Sequence, residues 1–200
     1  MKNLANLARK RVSSKLLVFG LGNPGNKFSS TKHNMGYWVI DRLAKMESIN
    51  IDNGEPDYIY GENDRLILIK PTTYMNNSGV AVAQATTNFS SSKVLVAYDD
   101  IDLPLGGIRY RSEGGDGGHR GIESMIYHLN SDRFDRLRLG IATSENMRPS
   151  EEYVLKPFKR KYDRVVNDVV DYAAQSISYY QNHSVSETMN KFNSMKRENE

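Results

Sequence analysis

The chain has 200 residues, of which 38% are hydrophobic and 26% charged, with a formal net charge of +3 and no cysteine. That length supports one globular domain with a sizeable core. The missing cysteines exclude disulfides, thiolate nucleophiles and cysteine-bound zinc, and no apolar run approaches the roughly 18 residues a membrane span needs. A mild positive charge permits nucleic-acid binding without requiring it, so where the basic residues fall matters more than their sum.

Residues 1–14 carry Lys2, Arg9, Lys10 and Arg11 and no acid. The segment reads as a basic tail, although its Arg- and Ser-bearing character also suits an organellar transit peptide. The domain proper is expected over 15–195. Lys15–Phe19 is a short apolar run ending in glycine, which predicts a buried first strand. A glycine-rich turn follows, and then Met35, Trp38, Val39, Leu43 and Met46 keep a helical period from about His33 to Glu47. Residues 50–63 read as a loop or weak strand. Arg65–Lys70 reads as a strand stopped by Pro71.

A helix is expected from Ser78–Gly79, then a buried strand over Lys93–Tyr98 that runs into an acidic turn, Asp99-Asp100-Ile101-Asp102. Gly107–Arg111 alternates as a strand, and Gly114–Gly118 is a flexible loop opening a helix over about Gly121–Leu129. Leu137–Ala142 is a further short strand. Pro149 suits the first turn of a helix reaching Leu155, residues 159–182 form a longer amphipathic helix, and a polar tail follows His183. No internal repeat or domain boundary interrupts the pattern. Strands alternating with helices predict one α/β domain, with a mixed, mostly parallel twisted sheet flanked by helices.

Gly20-Leu-Gly22-Asn-Pro-Gly25 matches the G-x-G-x-x-G dinucleotide fingerprint after a strand. In a true fingerprint the helix opens within the glycines so that its N-terminus meets a pyrophosphate. Here Pro24 stiffens the turn and Asn26–Thr31 delays the helix, which argues against a nicotinamide enzyme.

Open α/β sheets place their sites at the C-terminal ends of strands. The first strand leads to Asn23 and His33, the second to Tyr74, Asn76 and Asn77, and the third to Asp99, Asp100 and Asp102, while the glycine loop delivers His119 and Arg120. A histidine backed by a carboxylate can take a proton from water near neutral pH, and amides can position that water or an ester carbonyl. No serine elbow stands beside them. Direct hydrolysis by water is therefore expected. Singly, each residue has an ordinary structural explanation. His33 could cap a helix, Asn76 and Asn77 could shape a turn, and the Asp cluster could be an Asx turn or a magnesium site.

Taken in order, these segments resemble the bacterial-type peptidyl-tRNA hydrolases. The matching stretches are Gly20–Gly25, Thr31–Gly36, Lys70–Gly79, Asp99–Gly106, Gly117–Gly121 and Arg136–Ile141, together covering roughly residues 15–160. The resemblance implies an esterase that frees tRNA from peptides dropped in translation. It would use no cofactor and no metal, take peptidyl-tRNA as its partner, and act as a monomer away from membranes. A cytoplasmic location is implied, with a mitochondrion or plastid as the alternative raised by residues 1–14. By the resemblance His33 would be the general base and Asp99 its support. Asn23 and Asn76 would hold the substrate near the tRNA 3′ end and the first peptide unit, with Phe28, Tyr74, His119 and Arg120 completing the substrate site. Arg111 and Arg138, with Arg109 as a neighbour, would grip tRNA phosphates through their planar forks.

The chain departs from the family pattern at three positions. Lys32 replaces the usual Arg, Phe28 stands where Tyr is common, and Arg120 occupies a position that usually holds Asn. Arginine is larger, permanently charged and unable to accept a hydrogen bond. It leaves open an oxyanion or phosphate contact, a blocked peptide groove, or a depressed His33 pKa. It also keeps open a second reading, a catalytically impaired relative serving as an RNA-binding component of a ribosomal or splicing assembly.

Overall fold

The structure is a computed structural model that describes residues 15–89 and 93–193; the expectations for residues 1–14 lie outside the described residues. Strand β1 (Leu16–Gly20) is buried on both sides, with Leu16 and Val18 packing into one layer and Leu17 and Phe19 into the other. A strand with two apolar faces belongs in the middle of a sheet. It lies between β4 (Leu66–Pro71) and β5 (Val94–Pro104), both parallel to it, in register at Val18 with Leu68 and Leu95. Strand β7 (Asp135–Ala142) continues the parallel set beyond β5.

Strands β2 (Asn53–Glu55) and β3 (Tyr58–Glu62) add an antiparallel hairpin at one edge, and β6 (Ile108–Arg111) pairs antiparallel with β7 at the other. The order across the seven-stranded sheet is β2-β3-β4-β1-β5-β7-β6. Only β3 and β6 run against the rest, which is the mixed, mostly parallel sheet expected. Helices α1 (Met35–Met46), α5 (Asp163–Tyr180) and α6 (Val185–Phe192) pack on one face. Helices α2 (Ser78–Phe89) and α3 (Arg120–Leu129) pack on the other. Among the described residues no helix is long and apolar enough to cross a membrane.

Of the two readings of residues 50–63, a loop or a weak strand, the strand is what forms: the segment is a hairpin, and Tyr58 and Tyr60 pack with Phe89 of α2. Three other local expectations need correction. Pro71 is the last residue of β4 rather than a stop before it, since β1 pairs with β4 only as far as Ile69 and Pro71 faces Tyr58 alone. The acidic stretch 99–102 is not a turn: β5 runs through it to Pro104, with a register shift against β7 between Asp100 and Pro104. Such irregularities re-aim side chains, and they recur beside active sites.

The segment after His183 is a helix and not a polar tail. Ser184 Oγ accepts from the Glu187 N–H (3.2 Å) and the Glu187 carboxylate accepts from the Ser184 N–H (2.8 Å), a complete capping box. Phe192 then buries among Tyr110, Tyr172 and Tyr179. The next residue, Asn193, bonds both the N–H (2.7 Å) and the carbonyl (3.1 Å) of Tyr110, satisfying backbone that edge strand β6 would otherwise leave open.

Two glycines set the distance between α1 and the sheet. A Cβ on Gly36 would lie 2.4 Å from the Ala97 carbonyl oxygen, and one on Gly20 would lie 2.3 Å from the Gly36 oxygen. Helix α1 therefore starts pressed against the C-terminal end of β1 and the middle of β5. Gly20 thus serves helix–strand packing, and no helix opens within Gly20–Gly25.

Candidate active site

A short 3-10 turn, Lys32–Asn34, precedes α1 and brings His33 against Asp99 in the middle of β5. His33 Nδ1 lies 2.9 and 3.0 Å from the two carboxylate oxygens of Asp99, which is 2% exposed. From the opposite side His119 Nε2 lies 3.1 Å from Asp99 Oδ1. The network fixes the tautomers. His119 is the N-cap of α3 and its Nδ1 accepts from the backbone N–H groups of Gly121 (3.2 Å) and Ile122 (3.3 Å), so its proton sits on Nε2 and is donated to Asp99. An ionised Asp99 likewise takes a proton donor from His33 Nδ1. Nε2 of His33 is left with its lone pair, the form a base requires.

Electrostatics point the same way. Burial alone would lower the His33 pKa, but the adjacent Asp99 charge and its hydrogen bond outweigh this and raise it above the usual 6.5. Burial alone would raise the Asp99 pKa, yet the two histidines hold it far below the usual carboxylate range. Arg120 is not among the groups acting on His33.

Asn23 follows β1 and is held on three sides. Its N–H donates to Asn34 Oδ1 (2.8 Å), its carbonyl accepts from Asn34 Nδ2 (2.9 Å), and its own Oδ1 accepts from the Met75 N–H (2.8 Å). The last bond settles the amide orientation and leaves Nδ2 as the group free to donate. Asn34 thereby substitutes for a neighbouring strand.

These groups share a cleft of about 1070 Å³, which Asn23, His33, Asp99 and His119 line together with Phe28, Tyr74, Asn76, Arg111, Arg120 and Arg138. Phe28 meets Tyr74 edge-on at 6.2 Å, a contact that needs no hydroxyl on residue 28. Tyr74 is 58% exposed and Asn76 is exposed as well. Arg120 stands at the rim, its side chain 66% exposed and paired with Glu123 at 3.0 Å within the first turn of α3. Arg138 pairs through Nε with Asp100, which also accepts from the Asp102 N–H (2.9 Å). Asp100 and Asp102 thus stabilise the end of β5. Asp99, His33 and His119 do offer three ligand atoms within 4.8 Å of one another. A metal there would have to displace both imidazole protons.

Register explains the arginines. Arg109 faces Arg138 and Arg111 faces Arg136 across β6 and β7, so all four share one face of the sheet. Arg111, Arg136 and Arg138 line the cleft; Arg109 lies outside its lining. Three contributors escaped the sequence reading. Asn34 sits beside His33 in a stretch already singled out, and Arg136 lies two residues before Arg138. Lys32 is 1% exposed, donates to the carbonyls of Lys156 (3.2 Å) and Pro157 (2.9 Å), and lies over the Tyr153 ring at 4.2 Å. It fastens helix α4 (Ser150–Val154), whose Val154 and Ser150 line the far wall, to the His33 turn.

A single α/β domain with a histidine, a buried carboxylate and oriented amides gathered at its strand ends has the form of an enzyme that acts through water. The sequence model of the peptidyl-tRNA hydrolase family matches residues 17–200. The peptidyl-tRNA hydrolase of Shouchella clausii is 40% identical over 183 residues, spanning 88% of this chain and 99% of its own. That of Oceanobacillus iheyensis is 41% identical over 184 residues, spanning 88% and 98%. The crystal structure of peptidyl-tRNA hydrolase from Acinetobacter baumannii superposes with a TM-score of 0.83 at 31% identity, covering 92% of this chain and 97% of that one. The chain belongs to the peptidyl-tRNA hydrolase family, and it is a hydrolase.

Proposed function

We propose that the chain hydrolyses the ester between peptide and tRNA in peptidyl-tRNA, with His33 as general base and Asp99 as its support. The observation that supports this reading is the buried Asp99, its pKa held low, beside Nδ1 of His33, which leaves the Nε2 lone pair of a cleft-lining histidine as the candidate base. Water enters between His33 and the ester carbonyl and loses its proton to Nε2. The carbonyl carbon takes the hydroxide and its oxygen becomes anionic. Asn23 Nδ2 donates to the substrate at this point, where charge develops. Collapse breaks the bond to the terminal ribose oxygen, and the imidazolium returns its proton to that oxygen. The reading invokes no cofactor and no covalent intermediate.

Around this floor, Phe28 and Tyr74 offer rings to the 3′-terminal base, and Asn76 and His119 border the first peptide unit. Arg111 and Arg138 engage backbone phosphates, with Arg109 extending the same basic face. Arg120 contacts the substrate from the rim. The cleft is completed within one chain, which favours a monomer, and its substrate arises at the ribosome, which favours the cytoplasm. Sedimentation and fractionation test these two points.

The deciding experiment is hydrolysis of an N-blocked aminoacyl-tRNA by wild type, His33→Ala and Arg120→Asn. Turnover by wild type and Arg120→Asn, lost in His33→Ala, is the expected result. An inert wild type that gains activity on Arg120→Asn would make the chain a disabled relative.

A further inference from the structure

The loop that delivers His119 is built from backbone with little rigidity of its own. Gly114, Gly117 and Gly118 all have positive φ (+142°, +59° and +78°), and glycine loses more freedom on ordering than any other residue. The far end of the loop is held by the cap on α3 and by Asp99. Its near end is held by Arg136, a residue of β7 that is 2% exposed. Nη1 donates to the Gly115 carbonyl (2.6 Å), and Nη2 donates to the carbonyls of Gly114 and of Asp132 (3.2 Å). The guanidinium also lies over the Phe134 ring at 4.4 Å.

Among the described residues no carboxylate pairs with Arg136. A buried cation without a counter-charge is costly, and replacing buried ions by apolar side chains is often stabilising. Fold stability alone is therefore a poor reason for a guanidinium here. The Tyr98 ring packs edge-on against His119 at 4.9 Å. His119 thus has two supports, that ring and the loop that carries it, and Arg136 holds the loop.

We propose that Arg136 is a positioning residue for the hydrolysis, fixing the glycine loop so that His119 holds Asp99, and with it the His33 tautomer, in reacting geometry. This rests on the roles given above to His33, Asp99 and His119. Its planar fork holds three carbonyls from two nitrogens in a fixed geometry, which a single ammonium on a flexible stem does not reproduce.

The test is a double-variant cycle on N-blocked aminoacyl-tRNA, measuring kcat and KM for wild type, Arg136→Lys, His119→Ala and the two combined. Arg136→Lys is expected to lower kcat roughly 10- to 100-fold, as a small misplacement of reacting groups does, with KM moving less than about threefold. The double variant should be no slower than His119→Ala alone, within about twofold, because the two act as one unit. Arg136→Gln, neutral and smaller, runs the same cycle and covers a lysine variant that fails to fold. Losses that multiply in the double variant, or an unchanged kcat on replacing Arg136, would overturn the proposal while leaving the site reading intact. A His119→Ala enzyme with full kcat would overturn the site reading itself, and the proposal with it.

Discussion

The floor of the cleft and its rim differ in how their polar groups are satisfied. On the floor, Asp99, His33, His119, Asn23 and Asn34 are bound to one another or to backbone by bonds of 2.8–3.3 Å. Asp99, His33, Asn23 and Asn34 are at most 9% exposed. At the rim, Tyr74, Asn76, Arg111 and Arg120 are exposed, and Arg120 meets its partner in water. Low dielectric makes each floor interaction strong and each orphaned group costly, whereas solvent screens the rim. The floor therefore sets the chemistry and the rim sets the grip, and substitutions in the two regions should separate kcat from KM.

The largest loss is expected on the floor. His33→Ala should lower kcat by roughly 10³-fold, the span of a general base, with KM little changed, in a single-turnover assay. Asp99→Asn comes next, at roughly 10²-fold or more. His119 keeps the amide oxygen as its acceptor and turns the amide N–H₂ toward His33, forcing the His33 proton onto Nε2. Asn34→Ala removes both bonds that hold the Asn23 backbone. Two lost buried hydrogen bonds cost about 1–3 kcal/mol each, so the thermal midpoint should fall together with kcat.

Rim changes should be smaller and of another kind. Arg111→Ala should raise KM and reduce the slope of log KM against log salt by about one, with kcat held within about threefold. Arg120→Asn should leave kcat within about threefold and raise KM modestly, because the side chain stands exposed at the rim and is not among the groups acting on His33. A large kcat loss at Arg120 would place that residue with the floor and break the comparison.

Much of the frame was legible locally. A continuous apolar run located β1, alternation located β6, and helical period located α1 and α5, because those patterns report which faces are buried. The capping box at Ser184 and Glu187 was equally visible, and α6 was missed because its polar residues outnumber the one phenylalanine that anchors it. The floor was harder to read. His33 and Asp99 are 66 residues apart, and only the strand-end rule and the family resemblance put them together. Arg136 and Asn34 act through backbone carbonyls and amides far along the chain, contacts that leave no periodic trace in sequence. Arg109 illustrates the reverse: alternation puts it with Arg111, and the register does too, but the cleft does not extend that far.

The most direct test of the account is the single-turnover rate of ester hydrolysis as a function of pH, for wild type and Asp99→Asn side by side. Because Asp99 raises the His33 pKa, the wild-type rate should fall with acid through a midpoint above 6.5. In Asp99→Asn burial alone remains, so the midpoint should move to lower pH while the plateau drops roughly 10²-fold. An acid limb that stays in place, or a plateau that survives the substitution, would contradict a His33 base held by Asp99.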